Sequence, residues 1–485
     1  MNPSLKAPLH VQEIPPVDID RVLQQWQKAS PQFLLESGLE VGGTGRWSFW
    51  GSEPIDEFVQ LAGFAGDSVE AERSRRPLED LDRWFGQWRN DRDNLVLLGE
   101  RVPFTGGAVG WLSYEALDDF HQLGPDQRSS PGAPEWLNQF PLMHFTLHDE
   151  LFVQHRESGK TWFLHRGRQG WEERLASFLQ APGDDPVDSH ADPVHPLESK
   201  AQIRSAFDED QYLNAVRQIQ DGIGQGDYYE VNLARGYLVE GCPPPAELHR
   251  RWRQAQPVPY GALIETPRFG VVSASPEQFL QTRGTTIRTR PIKGTVPRSG
   301  DPERDRQAAE ELRTSEKERA ELAMIIDLER NDLGRICEPG SVEVTQVTAI
   351  ESYASVLHAV ATIEGQLSGE PGPGAILEAT YPGGSITGAP KQAAMRAIRE
   401  LEPWPRAVYT GSVGWIDGSG DLEFNIAIRT ATIQGSEALI PFGGAITWDS
   451  DCHAESREIG HKARAILGAL GLQTHPDQEA SDLQG

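Results

Sequence analysis

A chain of 485 residues, 38% of them hydrophobic, can bury a large core, and its length points to one large domain or two closely joined ones. Its formal net charge of −27 argues against nucleic acid and anionic membranes as partners, and an anionic substrate would need local cations or backbone N–H groups to invert the field. Three scattered cysteines (Cys242, Cys337, Cys452), no apolar run of about 18 residues and no basic-then-apolar N-terminus point to a reduced, cytoplasmic protein without signal peptide or membrane span.

The first dozen residues read as a mobile tail. Helical spacing at Ile19–Lys28 and Leu78–Arg89 then alternates with strand-like runs at Phe33–Glu36, Arg46–Trp50, Leu95–Leu98, Gly107–Ser113, Leu151–His155 and Thr161–His165. Turn residues separate these runs, which suggests an α+β arrangement with antiparallel sheets. Gln180–Ser199 is rich in Pro and Asp, has no apolar periodicity and reads as a linker. The domain boundaries expected from this are 12–180, a linker at 181–204, a second domain at 205–472 and a tail at 473–485.

Beyond the linker, Asp208–Gln225 has helical spacing. Ser315–Glu329 is another helix, with Ala320, Ala323, Met324 and Leu328 on one face. Val408–Ile416 and Leu422–Ile433 read as two strands of a hairpin turning at Asp417–Asp421. Ala454–Ala469 is a last helix closed by Gly471.

Several segments carry residue types suited to chemistry. In Tyr381–Lys391 (YPGGSITGAPK) a Gly-rich turn runs into Pro390 and a helix, so free N–H donors and a positive dipole end could receive a carboxylate or phosphate; a tight turn without ligand is the alternative. Glu455, Glu458 and Lys462 share one side of the last helix, where two carboxylates could hold Mg²⁺ or simply be solvated. Glu321 lies on a mostly apolar helix, which is costly unless it is paired or metal-bound. Lys293, just after Thr286–Arg290, could project inward. Near Arg290 or a metal its pKa would be depressed and the amine nucleophilic. Glu277, after the apolar run GVVSA, could act as general acid or base if desolvated. Arg429 and Tyr409 fall on the two hairpin strands, and Arg429 shares strand parity with Glu423 and Asn425.

In this order and spacing the segments YYEVNLAR, SASPEQFL, RPIKGTVPR, ELAMIIDLERNDLGRIC, YPGGSITGAPK, VYTGSVGWI, FNIAIRT and ESREIGHKA resemble the chorismate-utilising enzymes. LLES and PFTGGAVGWLSYE resemble the N-terminal half of the ammonia-using synthases. The resemblance implies two large, mostly antiparallel sheets packed as a sandwich with helices outside, the fold of anthranilate synthase component I.

Two positions bear on the branch. Isochorismate and salicylate synthases carry a water-activating Lys where this chain has Glu230. Anthranilate synthases carry Ala where it has Lys293, the covalent nucleophile of the aminodeoxychorismate synthase branch. The resemblance therefore implies Mg²⁺-dependent amination of chorismate at C4. In that reaction Lys293 is nucleophile and Glu277 general acid, and Glu321, Glu455 and Glu458 hold Mg²⁺. Gly294, Thr295, Tyr409, Arg429, Gly443, Gly444, Ala445 and Lys462 would bind substrate, with His358 near the ring. Ser37, Arg46, Trp47, Pro259, Tyr260 and Gly261 match the family's tryptophan pocket. The motif G-x-C-x-G-H surrounds none of the three Cys, so nitrogen would come from a glutamine amidotransferase subunit or free ammonia. Glu230 and His461 depart from the more usual Gln and Asn. The rival readings are anthranilate synthase component I and a non-catalytic tryptophan-sensing subunit.

Overall fold

The structure is a computed structural model that describes residues 5–26, 31–61, 76–90, 94–118, 120–121, 123, 132–180, 202–470 and 472. Most of the expected linker, Gly471 and the 473–485 tail lie outside the described residues.

Every strand pairing among them is antiparallel. One sheet of twelve strands runs in the order His10–Ile14, Thr161–His165, Glu150–His155, Trp47–Ser52, Pro31–Glu36, Tyr260–Glu265, Gly270–Ser275, Thr430–Gln434, Glu437–Ile446, Glu230–Glu240 and Gln202–Ser205. The short Gly388–Ala389 pairs with the start of Glu230–Glu240. The second sheet, of ten strands, runs Ile292–Pro297, Val356–Gln366, Thr286–Arg290, Gln278–Arg283, Leu422–Asn425, Ser412–Asp417, Gly107–Leu112, Pro141–His148 and Asp56–Leu61, with Glu343–Ser352 on Val356–Gln366.

Strands from both sides of residues 181–201 lie in both sheets. Pro31–Glu36 pairs with Tyr260–Glu265, and Gly107–Leu112 with Ser412–Asp417. The expected boundary thus divides the chain without dividing the sheets.

The two-residue alternation of strands decides the layers. Phe33, Trp47 and Phe49 of the first sheet and Val109, Trp111, Val413 and Trp415 of the second meet in one apolar cluster between the sheets. Phe104 bridges it, edge-on to Phe49 and stacked on Trp415. The opposite faces, with Leu34, Trp50, Phe145 and Leu147, pack against outer helices through Leu23, Leu81, Phe85 and Leu377. This is the expected sandwich.

Two expectations are corrected. Helix Glu316–Gly334, capped by the Ser315 hydroxyl, buries Leu322, Ile325, Ile326, Glu329, Asp332 and Leu333. Ala320 and Ala323 face outward instead, because the i, i+3, i+4, i+7 stripe starts at Leu322. The expected strand Leu422–Ile433 is broken: Leu422–Asn425 belongs to the second sheet and Thr430–Gln434 to the first. The first hairpin strand is likewise Ser412–Asp417, preceded by Ala407 and Thr410 at positive φ. Tyr409 and Arg429 therefore lie on neither strand. The parity linking Arg429 to Glu423 and Asn425 fails where the chain changes sheets.

Candidate active site

The chain crosses between the sheets twice at one place. It passes from Gly270–Ser275 through Pro276 and Glu277 into Gln278–Arg283, and from Leu422–Asn425 through Ile426–Arg429 into Thr430–Gln434. The crossings hold each other. Ile426 N–H donates to Glu277 O at 3.0 Å, Ser275 Oγ to Ile426 O at 2.6 Å, and Ala274 N–H to Arg429 O at 3.0 Å. A crossing residue leaves the sheet ladder, so its side chain can enter the interior rather than stand on a sheet face.

Glu277 is 4% exposed. Its Oε1 accepts from the Ser385 hydroxyl at 2.8 Å and from Ile292 N–H at 3.2 Å. Burial pushes its pKa up to about 7, against the pull of these donors and of Lys293. At neutral pH the group is poised between acid and base, as proton transfer requires.

Lys293, on Ile292–Pro297, is buried as expected, and its Nζ donates to Glu230 Oε1 at 2.9 Å. The expected depression of its pKa is corrected. Burial pulls it down, but Glu230 in contact, with Glu321 and Glu277 beyond, raises it on balance. Glu230 is fully buried, and its Oε2 has no hydrogen-bond partner among the described residues.

The Gly-rich turn serves the interior. Gly384 N–H donates at 2.9 Å to the buried carboxylate of Glu329, so the anion it binds is the chain's own. Burial first, then Asp332, pushes Glu329 up to about 7. Lys391, at the start of helix Lys391–Leu401, turns inward to pair with Asp332 and to donate to Thr380 O at 2.9 Å.

The other expected substrate residues ring this centre. Gly294 has φ +83°, and an added Cβ would come within 2.8 Å of Leu312 Cδ1 and Glu318 Oε2. Thr295 Oγ1 hydrogen-bonds His358 Nδ1 at 2.8 Å, while His358 Nε2 is unpartnered among the described residues. Burial and then Arg429 hold His358 down at about 3, so the ring is neutral at pH 7. Arg429, at φ +51°, donates to Gln256 Oε1 at 3.1 Å; burial lowers its pKa. Gly443, Gly444 and Ala445 lie on Glu437–Ile446 opposite Asn232–Ala234. A Cβ at Gly443 would come within 2.9 Å of Tyr409 Oη and Asn232 Oδ1. Lys462 Nζ donates to Gly443 O at 3.0 Å and pairs with Glu458 at 2.8 Å. His461, beside it, is exposed.

Among the described residues no group of three His, Cys, Asp or Glu side chains is close enough to cage a metal ion. Glu321, Glu455 and Glu458 are thus not drawn into one cage in this conformation. Lys317 influences all three, which places helices Glu316–Gly334 and Cys452–Gly468 across one space. Burial raises Glu321, whose nearest cation is Lys317 at 3.8 Å, and burial raises Glu455, which accepts from Ser450 Oγ at 2.7 Å. Burial also pushes Glu458 up, but Lys462 pulls it below its ordinary value. Two under-neutralised carboxylates and a third with a displaceable lysine suit a hard divalent cation such as Mg²⁺.

Ser37, Arg46, Trp47, Pro259, Tyr260 and Gly261 all line one cavity of about 410 Å³, together with Glu100, Arg283 and Glu423. Neither Lys293 nor Glu277 lines it.

A family model described as chorismate binding enzyme matches residues 49–468. The chain belongs to the chorismate-binding enzyme family. It is 33% identical over 468 residues to aminodeoxychorismate synthase component 1 of Bacillus subtilis, covering 94% of this chain and 96% of the relative. It is 34% identical over 455 residues to anthranilate synthase component 1 of Streptomyces coelicolor, covering 90% and 83%. Among solved structures, anthranilate synthase component I from Streptococcus pneumoniae matches with a TM-score of 0.72 at 27% identity, over 87% of this chain and 92% of that one. The menaquinone-specific isochorismate synthase of Escherichia coli shares the fold, with a TM-score of 0.68 at 18% identity, over 97% and 96%.

Within this chorismate-binding enzyme, some residues of the site escaped sequence reasoning. Ser385 and Glu329 were inside quoted motifs but carried no role. The placement of Glu329 and Asp332 on the buried stripe of their helix was the available signal. Arg406 had none: it is buried, pairs with Glu402, and donates to Asn232 O at 2.6 Å and Ile386 O at 3.2 Å, tying the Gly-rich turn to the strand that bears Glu230. Among the described residues no helix is long and apolar enough to cross a membrane.

Proposed function

We propose that this enzyme is the chorismate-aminating component of aminodeoxychorismate synthase, supplying 4-amino-4-deoxychorismate for para-aminobenzoate and folate. The observation that carries the reading is a buried amine, Lys293, held at 2.9 Å by Glu230, beside a carboxyl poised near neutrality, Glu277. At about one-third identity the two synthases stand equally near, so the choice rests on Lys293 rather than on overall similarity.

In this reading Lys293 Nζ bonds to C2 of chorismate, both ring double bonds shift, and the C4–O bond breaks. Glu277 protonates the departing hydroxyl as water. Ammonia then bonds to C4, both double bonds shift back, and the C2–Nζ bond breaks. The enolpyruvyl ether is retained. Tyr409, Arg429, Lys462, Thr295 and the open backbone at Gly294 and Gly443–Ala445 receive the two carboxylates, with neutral His358 beside the ring. Glu321, Glu455 and Glu458 would hold Mg²⁺, which supplies positive charge to the ring carboxylate against a strongly acidic protein. Ammonia would come from a glutamine amidotransferase subunit. The cavity at Trp47 and Tyr260 is suited by its aromatic wall and mixed charges to tryptophan.

The test is to incubate the purified chain with chorismate, Mg²⁺ and ammonium. The expected product yields para-aminobenzoate only after a lyase is added. Fluorescent anthranilate as the sole product would overturn the reading in favour of anthranilate synthase component I.

A further inference from the structure

An amine that is to attack carbon must first lose a proton, and Lys293 is held in its charged form by its surroundings. We propose that Glu230 takes the proton from Lys293 Nζ as the amine attacks and returns it when the amine is expelled. This rests on the lysine adduct proposed above.

Three observations carry it. First, Glu230 Oε1 is the side-chain acceptor that Nζ touches, at 2.9 Å, and both residues are buried, so water has little access to the pair. Second, the other carboxylates facing the amine are further away or engaged: Glu277 accepts from Ser385 and Ile292, and Glu321 and Glu458 act through the field. Glu230 Oε2, by contrast, has no hydrogen-bond partner among the described residues. Third, Glu230 is clamped. Its backbone opens the strand Glu230–Glu240, pairs with Ala389, and lies so close to Gly388 that an added Cβ there would come within 2.2 Å of Glu230 O.

The protons balance. The starting state holds Lys293 as ammonium, Glu230 as carboxylate and Glu277 as acid. One proton passes from Nζ to Glu230, the Nζ–C2 bond forms, the C4–O bond breaks and Glu277 protonates the leaving oxygen. When ammonia bonds to C4, the C2–Nζ bond breaks and Nζ leaves as a neutral amine. Glu230 returns its proton to Nζ, and Glu277 takes one from the new C4 ammonium group. Both carboxyl groups end as they began.

The experiment follows adduct formation on Lys293 by rapid quench and mass spectrometry, with chorismate and Mg²⁺ present and ammonia absent. Glu230→Gln keeps an acceptor of the same size but cannot hold the proton as an acid. The expected result at pH 7.5 is adduct formation slowed roughly 10²-fold, with the deficit shrinking as pH rises, and partial recovery in Glu230→Asp. Adduct formation by Glu230→Gln at the parent rate overturns the inference and leaves the proposed function standing. No adduct on the parent chain overturns the lysine step and this inference together. If Glu230→Gln does not fold, Glu230→Ala decides: adduct formation slowed at pH 7.5 and restored by added formate supports the transfer, and formation at the parent rate overturns it.

Discussion

Two regions of this enzyme use charge in opposite ways. At Lys293 the ionisable groups are buried and answer one another directly; burial raises the proton affinity of Glu277, and neighbouring carboxylates, against the pull of burial, raise that of Lys293. Around the cavity at Trp47, Arg46 pairs with Glu40 at 3.0 Å and Glu100 at 2.9 Å, with its side chain 42% exposed. Arg283 there pairs with Glu423 at 3.1 Å. A buried pair leaves an uncompensated charge when one partner goes, whereas an exposed pair exchanges its partner for water. The difference teaches that the proposed reacting centre can be found by burial, while the cavity is recognised by its shape and its lining.

The sharpest break of this contrast is Lys293→Ala. Amination should fall on the order of 10²-fold or more, measured as kcat with ammonium as nitrogen source. An unchanged rate would remove the amine from the chemistry. Glu277→Gln should come next, with a loss of roughly 10²-fold or more in kcat. It should also change stability in a direction that pH reveals. The folded state holds this proton more tightly than the unfolded chain, so Glu277 costs stability as pH rises from about 4.5 to about 7. The variant lacks that cost, and its stability relative to the parent should rise by up to about 3 kcal/mol between pH 4 and 8, read by denaturant unfolding. A pH-independent difference would show that Glu277 is not desolvated.

Gly294→Ala tests the same region through the backbone. At φ +83°, with an added Cβ 2.8 Å from Leu312 and Glu318, it should cost about 1–3 kcal/mol and lower amination by displacing the neighbouring Lys293. The smallest effect is expected in the other region. Arg46→Ala should cost under about 1 kcal/mol, less at high salt, and leave amination within about twofold. A loss as large as that of Gly294→Ala would mean the two regions are coupled.

Much of the fold was legible because burial on one face leaves a period in the chain. Phe33–Glu36, Thr161–His165 and Asp208–Gln225 were read close to where Pro31–Glu36, Thr161–His165 and Glu209–Gln225 lie. The strands His10–Ile14, Asp56–Leu61 and Pro141–His148 and the helix Trp171–Gln180 were not read at all. Pro141–His148 is buried along nearly its whole length, so it shows no alternation to detect. The break at Ile426–Arg429 was also invisible, because an apolar run reads as strand whether or not it changes sheets.

The sequence by itself determined the family and the two-sheet class, and it named the candidate reacting groups, because motifs such as RPIKGTVPR and YPGGSITGAPK bring residue types together locally. Only the tertiary structure decided that Glu230, from a strand 63 residues away in the chain, meets Lys293, and that neighbouring carboxylates raise the amine's proton affinity against the downward pull of burial. Proton affinity is set by the sum of desolvation and neighbouring charge, and neither exists until distant segments are packed against each other.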